Sequence, residues 1–197
     1  MENKIPIKKL LFNPFEYIAG TKALIIGFFV ILIGSVLNYF ANKPFTEIIN
    51  WGMLRTVIEG VTAWFLFSLL LYIIGMIFSK TKVRFVDVLG TQALARIPNI
   101  ITILITFIPT FKHFLKYMMW KAFEKGDPIE MSTLGIVFSL FLYFIVFVAM
   151  IWSVVLMFNA FKVSTNLKGE KCVWLFIAAI IFSIVVAMGV RIFVFGM

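Results

Sequence analysis

Hydrophobic residues gather in five stretches along the chain, each as long as a helix that crosses a bilayer. A spanning α-helix needs about 20 mostly apolar residues. Stretches of this kind cover about residues 21–40, 54–78, 88–108, 133–160 and 172–195. The second and fourth exceed the usual length, so we expect them to tilt or to extend beyond the lipid. The pattern predicts an all-α, polytopic integral membrane protein, built as a bundle of five transmembrane helices.

Two short segments carry the signals of a helix start. Residues 13–16 read Asn-Pro-Phe-Glu and residues 127–130 read Asp-Pro-Ile-Glu. In each, the first side chain can accept a hydrogen bond from a free backbone N–H, and the Glu favours the positive end of the helix. The first segment predicts a short interfacial helix. Residues 1–20 therefore form a cytoplasmic N-terminal segment, and residues 21–197 form the membrane domain.

The connection between the third and fourth spans is the longest. Phe111, Phe114, Leu115 and Met118 follow helical spacing, and lysines fall largely on other faces. This pattern is typical of an amphipathic helix that lies in the headgroup layer. A helical extension of span three after a break at Pro109 fits the pattern equally well. Both interpretations stay open at this point.

Charge indicates how the chain is oriented. Charged residues make up only 14% of the chain, hydrophobic residues make up 62%, and the net charge is +9. Lys and Arg cluster at the ends of apolar stretches, which indicates topology and contact with lipid headgroups rather than nucleic acid. The N-terminal segment and the second and fourth connections carry most of them: Lys4, Lys8, Lys9, Lys22, Lys80, Lys82, Arg84, Lys162, Lys168 and Lys171. The N-terminus is therefore predicted to be cytoplasmic and the C-terminus external.

Three ionisable residues inside the spans, together with Asn99, form a candidate intramembrane polar site. It comprises Glu59, Arg96, Asn99 and Arg191. A charge at that depth costs a few kcal/mol or more unless it is paired or reaches water. We expect Glu59 to pair with Arg191, with Arg96 or with both. Such a pair either fixes the register of the bundle or lines a polar cavity open to the external side.

Span three contains a helix breaker. Pro98 cannot donate a backbone hydrogen bond, so the helix is predicted to kink near residues 96–99. Asn99, Thr102 and Thr106 are placed to satisfy some of the freed groups. Broken helices line substrate sites in some transporters, but those proteins carry two matching broken spans. A packing kink is therefore the preferred interpretation.

Small residues recur every four positions in the first and last spans. They are Ala19, Ala23 and Gly27 in the first span, and Ala179, Ser183 and Ala187 in the last. Such faces let helix backbones approach closely in lipid. Packing within the bundle is the preferred interpretation, and self-association is the alternative.

Residue types exclude most catalytic chemistry. Cys172 is the single cysteine and His113 the single histidine, so no disulfide, Cys-based metal site or His cluster is expected. The sequence contains no Walker-type phosphate loop, no His-Glu-x-x-His and no Gly-x-Ser-x-Gly. We predict no catalytic residues, no cofactor and no metal site, and the protein is not expected to be an enzyme.

Several short motifs resemble the YIP family of Ypt/Rab-interacting membrane proteins. Residues 12–16 (Phe-Asn-Pro-Phe-Glu) are similar to the opening before the first span of prokaryotic members. Residues 71–75, 85–89 and 93–98 resemble the end of span two, the start of span three and its small-residue run that ends at Pro98. The resemblance implies five spans and a cytoplasmic N-terminus. A long cytosolic N-terminal region and an Asp-Leu-Tyr-Gly-Pro type motif, both found in eukaryotic members, are missing, so GTPase binding is not carried over.

The resulting hypothesis is a non-enzymatic protein of a prokaryotic cytoplasmic (inner) membrane that organises the membrane or acts as a scaffold or adaptor. Its candidate cytoplasmic contact residues are Lys80, Lys82, Arg84 and Asp87. Membrane lipids are the expected partners, together with other membrane proteins or a second copy, and no nucleic acid. The alternative function is transport or handling of a small or lipidic solute by the intramembrane polar residues.

Overall fold

A computed structural model describes residues 7–42, 51–123 and 128–195, without the side chains of Lys8, Asn42, Trp51, Ala187 and residues 190–195. The described part of the chain is helical and contains no strand. The helices are α1 (Ile7–Phe12), α2 (Gly20–Asn42), α3 (Trp51–Phe78), α4 (Phe85–Leu94), α5 (Asn99–Thr106), α6 (Pro109–Phe123), α7 (Thr133–Thr165) and α8 (Gly169–Phe195), with a single 3₁₀ turn at Pro14–Glu16.

Helices long and apolar enough to cross a membrane occupy the five predicted places. They cover Gly20–Ala41, Gly52–Phe78, Phe85–Thr106, Thr133–Thr165 and Gly169–Val186. The predicted five-span, all-α architecture is confirmed. The helix α7 has 33 residues, which at 1.5 Å per residue gives a length of about 50 Å. Since the hydrocarbon layer is about 30 Å thick, α7 is tilted or extends beyond it, as predicted for the fourth span.

Span three lies at the centre of the bundle as two short helices. Its first half, α4, contacts α2, α3 and α7, and every residue from Val88 to Leu94 is buried. Trp64 of α3 donates its indole N–H to the carbonyl of Leu89 at 3.2 Å. Gln92 donates its amide to the carbonyl of Met157 in α7 at 2.9 Å. Hydrogen bonds from side chains therefore join α4 to two of its neighbours.

The contact between α2 and α4 depends on small residues. A Cβ added at Gly27 would collide with Ala93 and would lie 2.8 Å from the backbone nitrogen of Leu94. A Cβ at Gly90 would lie 2.6 Å from the backbone nitrogen of Leu24. Ala23 is also fully buried. The small face predicted on span one therefore packs within the bundle at Ala23 and Gly27, whereas Ala19 is exposed.

The predicted break in span three is confirmed. Residues 95–98 form a turn between α4 and α5, and hydrogen bonds of the tighter i to i−3 kind run through it, such as Ile97 N–H to Leu94 O at 3.1 Å. The hydroxyl of Ser153 in α7 donates to the carbonyl of Ala95 at 3.2 Å. Thr106 bonds to Ile103 in its own helix at 2.6 Å. A residue of another helix therefore supplies a hydrogen bond to a backbone carbonyl of the turn. The sequence had suggested this role for residues within span three.

Aromatic side chains join α3, α7 and α8 near one end of the bundle. Phe176 of α8 stands at the centre of this cluster, 5.9 Å from the ring of Phe161 and 5.4 Å from that of Phe158. Cys172 and Ala179 are buried in the same cluster. The small residues Ala179 and Ser183 of the last span are described, but the side chain of Ala187 lies outside the described residues.

The connection before span four forms α6, a helix separate from α5. Phe111 and Phe114 are buried against Leu142 of α7, and His113 Nε2 lies 2.9 Å from the carbonyl of Glu130. The connection is thus helical, as both interpretations required. Phe111 and Phe114 of its apolar face pack on protein, whereas Leu115 and Met118 are exposed. The helix start predicted at residues 127–130 is wrong for the part described, because residues 128–132 are not helical and Asp127 lies outside the described residues.

Span four begins instead at Thr133, after Ser132. The hydroxyl of Ser132 accepts the backbone N–H of Gly135 at 3.2 Å, as a helix cap does. At its other end, α7 stops at Asn166, which adopts the left-handed conformation with φ of 53°. The last helical residue, Thr165, lies five residues beyond the predicted limit of residue 160. The prediction followed the apolar stretch, and the helix continues past it through a more polar last turn.

The short helix predicted to start at residues 13–16 is present only as the 3₁₀ turn Pro14–Glu16, and the helix α1 (Ile7–Phe12) precedes it. Pro14 takes the first position of that turn, as expected. The capping role of Asn13 is wrong, because its side chain accepts no backbone N–H. Its amide instead donates to the carboxylate of Glu16 at 2.7 Å, a hydrogen bond strengthened by the charge of the acceptor.

Candidate functional site

One end of the bundle brings together the segments that were predicted to share a side of the membrane. Ser79, just after α3, donates its hydroxyl to the carbonyl of Thr165 at the end of α7, at 2.7 Å. The ammonium of Lys171 in α8 lies 4.7 Å from the ring centre of Phe78. The α3–α4 and α7–α8 connections therefore lie side by side. We call this end, with the N-terminal segment, the basic end.

Side chains of α7 hold the N-terminal segment at the basic end by hydrogen bonds to the main chain of that segment. Asn159 of α7 donates its side-chain amide to the carbonyl of Phe12 at 2.7 Å. Trp152 donates its indole N–H to the carbonyl of Leu11 at 2.9 Å. Phe15 is buried among Leu94, Ala95 and residues of α7. Because the acceptors are carbonyls at the end of α1, these bonds also satisfy groups that a helix end leaves free.

Basic side chains of this end point outward. Those that the structure describes as exposed are Lys9, Lys22, Lys80, Lys82, Arg84, Lys162, Lys168 and Lys171. Among the described residues, the acidic side chains of this end are fewer: Glu16, Asp87 and Glu170. The basic end is thus a positively charged surface made of segments distant in sequence.

The predicted contact residues differ in their surroundings. Lys80 and Lys82 are exposed. The side chain of Arg84 is 71% exposed and lies 3.8 Å from the carboxylate of Asp87, which is 24% exposed. An exposed pair at this distance contributes little to stability. Asp87 stands in the first turn of α4, where a negative charge favours the helix. Lys80, Lys82 and Arg84 are therefore the cations of this group that a partner can contact, and Asp87 stabilises the start of α4.

A cleft of about 330 Å³ opens between the N-terminal segment and the α7–α8 connection. Its polar lining consists of Asn13, Glu16, Asn159, Lys162, Asn166 and Lys168. Glu16 stands on the N-terminal side of the cleft, and the two lysines stand on the side of α7 and its connection. The cleft therefore presents opposite charges from its two walls.

The intramembrane residues are arranged differently from the prediction. Glu59 forms its ion pair with Arg55, one turn earlier in α3, at 2.9 Å. Their side chains are 34% and 39% exposed. Among the residues described, no ion pair joins Glu59 to Arg96. The side chain of Arg191 lies outside the described residues. The predicted pairing of Glu59 with Arg96 is therefore wrong, because a nearer arginine on the same helix takes its place.

A polar seam runs where the N-terminal segment, α4 and α7 meet. Three buried side-chain atoms of the N-terminal segment and span three have no hydrogen-bond partner in the described structure: Asn13 Oδ1, Gln92 Oε1 and Arg96 Nε. Gln92 is 1% exposed and is separated from Arg96 by one helical turn. Span three therefore contains one buried acceptor atom and one buried donor atom without partners in the described structure. Buried polar groups without partners are rare, so the seam is a place where water or a polar group would be held.

Comparison with known families decides the classification. The chain matches the Yip1 domain over residues 8–190, which is nearly its whole length. It belongs to the Yip1 family. No curated protein and no solved structure matches the chain. The family resemblance seen in the motifs from residue 12 to residue 98 is therefore confirmed, and the match extends it across all five spans.

The Yip1 family is not known for enzymatic activity. In the described ranges, no group of three or more His, Cys, Asp or Glu side chains is placed to hold a metal ion. The polar features of this Yip1-family chain are instead the basic end, the cleft and the seam.

Sequence reasoning missed three residues of these features. Gln92 lies one turn before Arg96, so an amide at this spacing from a charge in an apolar span was a usable signal. Trp152 and Asn159 gave no such signal, because their partners are carbonyls 141 and 147 positions earlier in the chain.

Proposed function

We propose that this Yip1-family protein is a non-enzymatic membrane protein that organises the membrane or serves as an adaptor, and that it contacts other proteins through its basic end. In this proposal the protein resides in a prokaryotic cytoplasmic membrane. Because positive residues favour the cytoplasmic side, the basic end and the N-terminus face the cytoplasm and the C-terminus is external.

The hydrogen bond from Ser79 to Thr165 carries the proposal. It joins two connections into a single surface, so Lys80, Lys82 and Arg84 stand beside Lys168 and Lys171 in a fixed arrangement. A surface already arranged loses less conformational entropy when it binds than a flexible loop does. Its charge favours a partner with an acidic surface, since complementary charges speed encounter and select against wrong partners.

Affinity purification of the tagged protein from its native membrane, in a lipid-retaining medium, tests the proposal. The variant Lys80→Gln/Lys82→Gln/Arg84→Gln is compared with Lys112→Gln/Lys116→Gln/Lys121→Gln, which removes the same charge from α6 at the opposite end. We expect a stoichiometric protein partner whose recovery falls about tenfold with the first variant and is unchanged with the second. Recovery of the protein alone, of a homo-oligomer alone, or equal effects of both variants would contradict the adaptor function.

The polar seam favours a second candidate, transport or handling of a small or lipidic solute. Its support is two buried atoms of span three without hydrogen-bond partners, Nε of Arg96 and Oε1 of Gln92. Transport requires a water-accessible path. In a Cys172→Ala background, the variant Asn99→Cys should then react with an aqueous maleimide, while Ser139→Cys, at a buried position of α7, should not. Equal protection of both cysteines would leave this function without support.

A further inference from the structure

We propose that the cleft at the basic end binds the headgroup of a phospholipid that carries both a phosphate and a primary ammonium group, as phosphatidylethanolamine does. The proposal goes beyond the adaptor function, because it concerns a lipid rather than a protein partner. It also depends on different side chains: Glu16, Lys162 and Lys168.

The two walls of the cleft match the two charges of such a headgroup. Lys162 and Lys168 line one wall, and both are exposed, so their ammonium groups can reach a phosphate. Glu16 lines the other wall, where Asn13 holds one carboxylate oxygen at 2.7 Å. Glu16 is exposed, so its carboxylate presents an accessible acceptor on this wall. An ammonium supplies both the positive charge and the N–H groups that this wall lacks.

The cleft lies beside apolar surface that acyl chains can follow. Asn159, which lines the cleft, bonds to the carbonyl of Phe12, and the side chain of Phe12 is exposed. Ile7, Leu10 and Leu11 of α1 are exposed next to it. A helix with outward apolar side chains and nearby lysines is typical of the membrane interface. The volume of about 330 Å³ falls within the range of small-molecule sites, roughly 300–1,000 Å³.

The number of N–H donors on the headgroup distinguishes this proposal from simple attraction to anionic lipid. A choline headgroup has the same charges but cannot donate a hydrogen bond to Glu16. A glycerol headgroup has no positive charge and places its phosphate near the same carboxylate. We therefore expect phosphatidylethanolamine to bind more tightly than phosphatidylcholine or phosphatidylglycerol.

Native mass spectrometry tests this order of affinities. The full chain is delipidated in detergent and titrated with each of the three lipids, which carry matched acyl chains. We expect the ethanolamine lipid to bind about tenfold more tightly than the other two, as for the loss of one hydrogen bond to a charged group. Glu16→Gln should remove most of its advantage over the choline lipid, and it should weaken binding of the choline lipid less, because that lipid loses a charge attraction but no hydrogen bond. Lys162→Gln/Lys168→Gln should weaken binding of all three, and the control Lys116→Gln/Lys121→Gln should weaken none.

Equal binding of the three lipids, tightest binding of the glycerol lipid, or insensitivity to Glu16→Gln would overturn the proposal. All altered side chains are exposed, so each variant is expected to fold, and its unfolding midpoint in the same detergent verifies this. The variant Lys80→Gln/Lys82→Gln/Arg84→Gln should keep the lipid preference. A failure of the adaptor function and a failure of the lipid site are therefore separate results.

Discussion

The hydroxyl of Ser79 donates to the main-chain carbonyl of Thr165, 86 positions later, at 2.7 Å. Thr165 is the last residue of α7, where backbone carbonyls have no partner within the helix. The α3–α4 connection therefore caps the end of α7, the helix that leads into the α7–α8 connection. The same hydroxyl accepts the backbone N–H of Thr81 at 3.1 Å, so it also shapes its own connection.

Removing this hydroxyl should loosen the basic end. We expect Ser79→Ala to lower the free energy of unfolding by about 1 kcal/mol, the usual net value of one hydrogen bond. The control Ser164→Ala loses a bond within its own helix, to Phe161 at 3.3 Å, and should change stability less. Thermal unfolding in detergent measures both variants. Equal effects of the two would show that Ser79 does not join the connections.

A methyl group at Gly27 should disturb the contact between α2 and α4. The added Cβ would meet Ala93 and the backbone of Leu94, and backbone cannot move aside cheaply. We expect Gly27→Ala to lower stability by about 1–3 kcal/mol, as overpacking does. Gly34→Ala in the same helix is the matched control, because its Cβ would lie at an ordinary 3.7 Å from Ile103.

The control should be neutral or gain up to about 1 kcal/mol, since alanine favours a helix over glycine. Unfolding midpoints of the two variants, measured side by side, provide the comparison. If Gly27→Ala is as stable as Gly34→Ala, the close approach of α2 and α4 is not as described.

Ser153 should support the break in span three. Its hydroxyl donates to the carbonyl of Ala95, which lies in the turn where the helix is interrupted. We expect Ser153→Ala to cost about 1–3 kcal/mol, because a buried carbonyl loses its donor. The control Ser68→Ala is also buried, but its bond is to Trp64 in its own helix. A stability loss for Ser153→Ala no larger than that for Ser68→Ala would contradict the role of Ser153.

Glu59 should contribute little to the stability of the bundle. Its pair with Arg55 spans one helical turn, and both side chains are about a third or more exposed. Such pairs contribute about 0.3–0.5 kcal/mol. We expect Glu59→Gln to leave the folded yield nearly unchanged, and Arg191→Ala to give no rescue when added to it. A large loss with Glu59→Gln that Arg191→Ala restores would reinstate the pairing expected from the sequence.

The positions of the spans were predictable because the bilayer imposes length and composition on each helix. The break at Pro98 was predictable because it follows from the covalent structure of proline. Starts of helices were harder, since the Asp-Pro-Ile-Glu pattern at residues 127–130 indicated a start, whereas Ser132 caps α7. The pairing of Glu59 with Arg96 was misjudged because Arg55, one turn earlier on α3, was not weighed as a partner.

The local sequence pattern did not predict the contacts between distant segments. The seam at Gln92 and the bonds from Trp152 and Asn159 to the N-terminal segment depend on how α4 and α7 pack. The same holds for the cleft, whose walls come from residues 13–16 and 159–168. Charge alone indicated that these segments share a side, and the packing showed that they touch.

The sidedness of the basic end tests the central claim most directly. On a Cys172→Ala background, single cysteines at Lys82, Lys168 and Lys116 are labelled with a membrane-impermeant maleimide in right-side-out and inverted vesicles. We predict that Lys82→Cys and Lys168→Cys react only in inverted vesicles and that Lys116→Cys, in α6 at the opposite end, reacts only in right-side-out vesicles. Labelling of Lys82→Cys and Lys168→Cys from opposite sides, or of both from the outside, would contradict a single cytoplasmic basic surface.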